Sequence, residues 1–190
     1  MVRSFLLLLF FAGCSCYKGP VSEFGFFRKD YKPENFDIDK NLYNIIDTTE
    51  VYERVGTFDL NNNEFYPYDD HKYGYNYLKF YANGKVSDFR RIRTDGEPFS
   101  SNPEPELSRN DFDPAKSAMG YFYAYDGKIF FNFFVRHRNC YGYFNKSEFI
   151  IKNDTLIEKN IQTINGKDIE VFYVKKNIPI EFLQGWQPDW

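Results

Sequence analysis

The chain predicts an all-β domain, eight antiparallel strands wound up and down into a closed or nearly closed barrel. Three observations carry this. Aromatic residues make up 21% of the 190 residues, with 16 Tyr and 22 Phe, and such side chains favour the pleated, half-buried surface of a strand. From residue 50 onward, runs of strand formers alternate with turn signals. No stretch has the apolar period of an ordinary amphipathic helix; "PAKSAM" at 114–119 comes nearest.

The runs follow in order. The first is "VYERVGTFDL", 51–60, ended by three asparagines. The second, "YNYLKFY" at 75–81, meets the third, "KVSDFRRIR" at 85–93, across Asn83-Gly84. That dipeptide is a two-residue hairpin signal, because both positions tolerate positive φ. A long polar connection, 94–118, leads to the fourth run, "GYFYAY" at 120–125. Asp126-Gly127 turns the chain into "IFFNFFV", 129–135, and "RHRN" turns it into "CYGYFNKSEFII", 140–151. "KND" precedes "TLIEKNIQTI", 155–164, and Asn165-Gly166 precedes the eighth run, "DIEVFYV", 168–174. Tight turns force neighbours to pair antiparallel. A meander with one apolar face gains by closing, which removes its unpaired edges.

Alternation assigns the faces. Leu78 and Phe80 point one way, with Tyr75, Tyr77, Lys79 and Tyr81 opposite. Phe122 and Ala124 oppose Tyr121, Tyr123 and Tyr125. Ile129, Phe131, Phe133 and Val135 share a face, which Leu156 joins. Phe80, Phe122, Phe131 and Leu156 are therefore the expected interior. The third run reads poorly: Val86, Asp88, Arg90 and Ile92 alternate against Lys85, Ser87, Phe89 and Arg91, and a bulge would repair it. With so many Phe, a filled or nearly filled interior is expected.

Three segments are expected: a signal at 1–13, a tether with short local structure at 14–48, and the barrel domain at 49–190. The apolar run Phe5–Ala12 follows Arg3. As a helix it covers about 12 Å, too little for a hydrocarbon core about 30 Å thick, so it reads as a secretory signal. "FAGC" puts Ala12 and Gly13 before Cys14 and resembles the lipobox of bacterial lipoproteins, with Phe11 where Leu is usual. The resemblance implies cleavage before Cys14 and lipid on its thiol. The alternative is an ordinary signal peptide cut near Gly13. Two or three acyl chains anchor a protein stably. Loss of Arg3 takes the formal net charge from −3 to −4, a mildly acidic balance that argues against a nucleic-acid partner. Cys16 and Cys140 either pair in an oxidising envelope or stay apart, one in the tether and one in a strand.

"YLKFYANGKV", "GYFYAYDGKIFFNFF" and "SEFIIKNDTLIEK" resemble the strand-turn-strand phrases of lipocalin-like domains in small bacterial envelope lipoproteins, over roughly residues 50–175. That resemblance implies a calycin-type barrel and export to the envelope. It implies no reaction, since the fold hosts ligand carriers, inhibitors and a few enzymes. By the sorting rules of Gram-negative bacteria, Ser15 rather than Asp after the cysteine implies the outer membrane, facing the periplasm.

No nucleophile elbow, phosphate loop or HExxH is present. His71 stands in "YDDHKY" and His137 in "VRHRN"; both read as solvated turns rather than metal or anion sites. No cofactor, metal site or enzymatic activity is expected. The expected function is a non-enzymatic binding module for a small apolar or amphipathic ligand. The alternative is a structural, inhibitory or immunity-type module whose outer surface meets an envelope protein partner. A connection as long as 94–118 is a lid, a binding loop or a solvated spacer. On the lid reading, Phe99, Leu107 and Phe112 close over an apolar mouth, and Arg91 or Arg93 meets an acidic head group.

Overall fold

The structure is a computed structural model that describes residues 19–29, 41–42, 45–69, 74–90, 107–126, 128–136, 142–160 and 168–190. Among these, nine strands form one antiparallel sheet: β1 (Val51–Asp59), β2 (Glu64–Pro67), β3 (Asn76–Phe80), β4 (Lys85–Arg90), β5 (Ala118–Tyr125), β6 (Lys128–Arg136), β7 (Gly142–Lys152), β8 (Thr155–Asn160) and β9 (Ile169–Lys176). Eight of them make a closed barrel, because β9 pairs back onto β1 from Val51↔Lys176 to Asp59↔Ile169.

The ninth strand, β2, was not anticipated. It folds back after Asn63, whose φ is 54°, and extends β1 outside the barrel. β1 serves two neighbours on that side: Val51–Glu53 pair with β3, and Gly56–Asp59 pair with β2. A bulge between Arg54 and Gly56 redirects the strand. The irregularity expected in the third run lies here instead, and β4 pairs with β3 in unbroken register. At Asn83-Gly84 only the glycine takes positive φ, at 80°. The turn is therefore longer than a two-residue hairpin, with the Tyr81 amide donating to the Lys85 carbonyl (3.0 Å).

The two ends of the barrel differ. Tight turns after β3, β5 and β7 gather at one end, using positive φ at Gly84 (80°), Asp126 (51°) and Asn153 (55°). The long connections β2–β3, β4–β5, β6–β7 and β8–β9 gather at the other. The tight-turn end is packed shut. Phe80, Phe122, Phe131 and Leu156 are fully buried there, as alternation assigned them. The Phe80 ring meets Phe122 edge-on at 5.2 Å and Phe131 at 5.0 Å, and Phe131 stacks on Phe149 at 3.6 Å. Each such side chain contributes about 1.5–3 kcal/mol by leaving water. Leu42 and Ile46, from the stretch expected as a tether, join this cluster.

Outside the barrel, two smaller cores cover the wall. Val51, Tyr77 and Phe89 pack with Phe112, Ile178 and Leu183, the last in the C-terminal helical turn Ile180–Leu183. Met119, Tyr121 and Phe134 pack with Phe27, Phe144 and Trp190. Arg28 joins three distant pieces of chain. Its Nε donates to Asp189 (2.8 Å), its Nη atoms donate to the Ser117 and Pro114 carbonyls (3.1 and 3.0 Å), and its guanidinium lies 4.7 Å from the Trp190 ring centroid. No described helix is long and apolar enough to cross a membrane.

Candidate functional site

The inward positions change character along the barrel. Toward the tight-turn end they are apolar: Tyr52, Leu78, Val86, Phe149 and Leu156. Continuing along the same strands toward the long connections, the same side of the sheet carries Arg54, Asn76, Asp88 and Arg90, Ser147 and Asn145, and Glu158. On β9, Tyr173 and, beyond it, Val171 opposite Glu158 both face inward, so one apolar side chain stands among the polar ones. The result is a polar ring above an aromatic floor, with Phe133, half-buried against the floor, opposite Asn145 in the register.

Within the ring, Asp88 is 4% exposed and fully engaged. Its Oδ1 accepts from Asn76 Nδ2 at 2.7 Å, and its Oδ2 accepts from Arg90 Nε at 2.8 Å and faces Nη2 at 2.6 Å. That contact holds the Arg90 guanidinium firmly in its charged form. Arg90 sits at the rim, its side chain 64% exposed. Across the barrel, the Tyr173 hydroxyl donates to Glu158 Oε2 at 3.1 Å. Burial pushes the Glu158 carboxyl above the usual range; the Ser147 and Tyr173 hydroxyls and Arg90 oppose the shift, and Asp88 adds to it. Burial likewise raises the Tyr173 phenol, so it stays protonated as a donor. Arg54 donates from Nη2 to Thr57 Oγ1 (2.9 Å) and lies over the Tyr68 ring at 4.7 Å.

Four polar atoms of this region are buried without a hydrogen-bond partner: Asn76 Oδ1, Asn145 Oδ1, Arg54 Nε, and Ser147 Oγ, which lies near the Glu158 carboxyl without meeting it in hydrogen-bond geometry. An orphaned buried group costs about 1–3 kcal/mol, so the ring as it stands is chemically incomplete. Beside it, on the outer side of the rim, Tyr75, Tyr77, Phe89, Arg90, Leu107 and Lys116 line a cleft of about 120 Å³. Tyr75 and Tyr77 stack there at 6.0 Å.

The site residues expected from sequence fall in two groups. Arg91, Arg93 and Phe99 lie outside the described residues, as do Cys14, Cys16, Cys140, His71 and His137. Leu107 borders the rim cleft, and Phe112 is buried on the outer wall, 5.7 Å from both Tyr77 and Phe89. The ring itself escaped the sequence reading, although a signal for it existed. Asp88 and Arg90 stand on the inward parity of the one run whose alternation failed, because at that depth the interior is polar. Among the described residues, no cluster of three or more His, Cys, Asp or Glu is arranged to hold a metal. Comparison with known proteins returns no match, whether to a protein family, a curated protein or a solved structure.

Proposed function

We propose that this chain is a lipid-anchored envelope protein whose barrel is a non-enzymatic binding module for a small amphipathic ligand, taken up at the end of the long connections. One observation carries the reading: an incomplete polar ring stands over a packed aromatic floor. The floor is too full for a long acyl chain to run down the barrel, so the ligand is compact. Its polar groups meet the ring, and its apolar surface lies toward Phe133. Binding is favoured over catalysis because both ring carboxyls already have partners, Asp88 in Arg90 and Asn76, and Glu158 in Tyr173. The anchor rests on the resemblance around Cys14, and the outer membrane on Ser15. Membership among lipocalin-like envelope lipoproteins is part of the same proposal.

A second reading, an interaction module for an envelope protein, is favoured by β2. This short strand at the end of the sheet order leaves Phe65 and Tyr66 45% and 43% exposed. Native mass spectrometry of the protein purified from its own envelope separates the two. A retained small molecule, and a mass increment for lipid on Cys14, support the first. A ligand-free chain with a stable protein partner captured by crosslinking favours the second, and an unlipidated chain overturns the anchor under either reading.

A further inference from the structure

Resting on the binding reading above, we infer that the ligand is neutral and polyhydroxylated, a sugar or polyol unit rather than a carboxylate, phosphate or amine. The ring's charges nearly balance: Arg54 and Arg90 stand against Asp88 and Glu158, while Asp59, on the same side of β1, is taken up by the Asn61 and Asn62 amides, and Arg90 is already committed to Asp88 through two contacts. An entering anion meets two carboxyls, and an entering cation meets two guanidinium groups. The unmet hydrogen-bonding capacity is mixed as well. Asn76 Oδ1 on β3 and Asn145 Oδ1 on β7 need donors, while Arg54 Nε on β1 needs an acceptor. A carboxylate only accepts and an ammonium only donates, so each answers half of the ring; a hydroxyl does both. Several hydroxyls on one compact carbon frame reach three strands at once. The C–H face of such a frame suits the aromatic edge below, where Phe133 lies beside the Phe131–Phe149 stack. Water has the same donor and acceptor character, so it is the competing occupant.

Side-chain amide NMR on the whole mature protein tests this, with methyl glucoside, N-acetylglucosamine and inositol as neutral probes and laurate and spermine as charged ones. At least one neutral probe is expected to shift the Asn76 and Asn145 amides saturably. Asn145→Leu should weaken that binding by about tenfold or more, and Glu158→Gln, which keeps a polar group without charge, by less than about threefold. Should Asn145→Leu melt early, Arg54→Lys, which keeps the charge and removes the Nε donor, is held to the same tenfold loss. Unmoved amides with every neutral probe mean that the ring holds water only, and the inference falls. Saturation by laurate or spermine alone also overturns it, yet leaves the binding reading standing. If no probe of either kind moves the ring and a protein partner crosslinks to β2, both fall.

Discussion

Single residues separate polar burial that holds the fold from polar burial that awaits an occupant. Lys79 belongs to the first kind. It points out of the barrel, is 5% exposed, and donates to the Thr48 and Glu50 carbonyls. Its ammonium also lies 5.9 Å from the Tyr81 ring centroid, so all of its neighbours here are groups of the fold. Burial lowers its ammonium from 10.5 to about 8, against the pull of Asp47 and Glu50. Below about pH 8 both the folded and unfolded chains hold this proton, and the burial cost is present in full. Above it the folded chain releases the proton first, so stability rises toward pH 10. There the window closes, because Tyr52, Tyr81 and Tyr173 keep their protons in the fold, while unfolded tyrosines ionise at about pH 10. The denaturant midpoint is therefore expected to rise between about pH 8 and pH 10, and Lys79→Met should flatten the rise. A flat profile in the unsubstituted protein contradicts the assignment. Asn76, Asn145 and Arg54 are the second kind, each with a buried atom that the protein leaves unmatched.

Among the elements, β1 decides how the sheet is used. A strand that bulges at Arg54 and Gly56 bends enough to close the barrel with β3 and β9 and still accept β2 on its later half. Gly56 is required there by a close approach: a Cβ would stand 2.2 Å from the end of the Phe65 ring. Gly56→Ala is expected to push that ring off, cost about 1–3 kcal/mol, and strip amide-exchange protection from β2 while the β1–β9 ladder keeps its own. Unchanged protection in β2 would show that Phe65 adjusts in place. The same strand shows where sequence reading stopped. "NNN" reads as the end of a run, and "EFYP" is short and holds a proline, so β2 gives no periodic signal of its own. It exists because β1 offers a free edge after its bulge. Strands with one apolar face throughout, β5 and β6, were legible down to the facing of single residues. β4 was not, since alternation identifies a strand only where one face is apolar, and its inner face crosses from Val86 into Asp88 and Arg90.

For the whole molecule, the asymmetry of the connections and the asymmetry of the interior coincide. The tight-turn end carries the aromatic plug, sealed by Leu42 and Ile46. The end with the long connections carries the polar ring, the rim cleft and Arg90 between them. The sequence displayed the first asymmetry openly, in its spacing of turns. It concealed the second, because the ring is assembled from single polar residues on β1, β3, β4, β7, β8 and β9, each innocuous in its own run. The expectation of a filled barrel holds at the tight-turn end, where the aromatic plug sits. The central claim is that the unmatched polar atoms of the other end serve a ligand and not the fold. Asn145→Leu tests it most directly, with stability and ligand retention measured on the same preparation. Leu removes an orphaned buried acceptor, so the denaturant midpoint should stay or rise, while the small molecule retained by the unsubstituted protein should disappear from the native mass spectrum. A clear fall in stability with the retained mass unchanged would contradict the account and make Asn145 a structural residue.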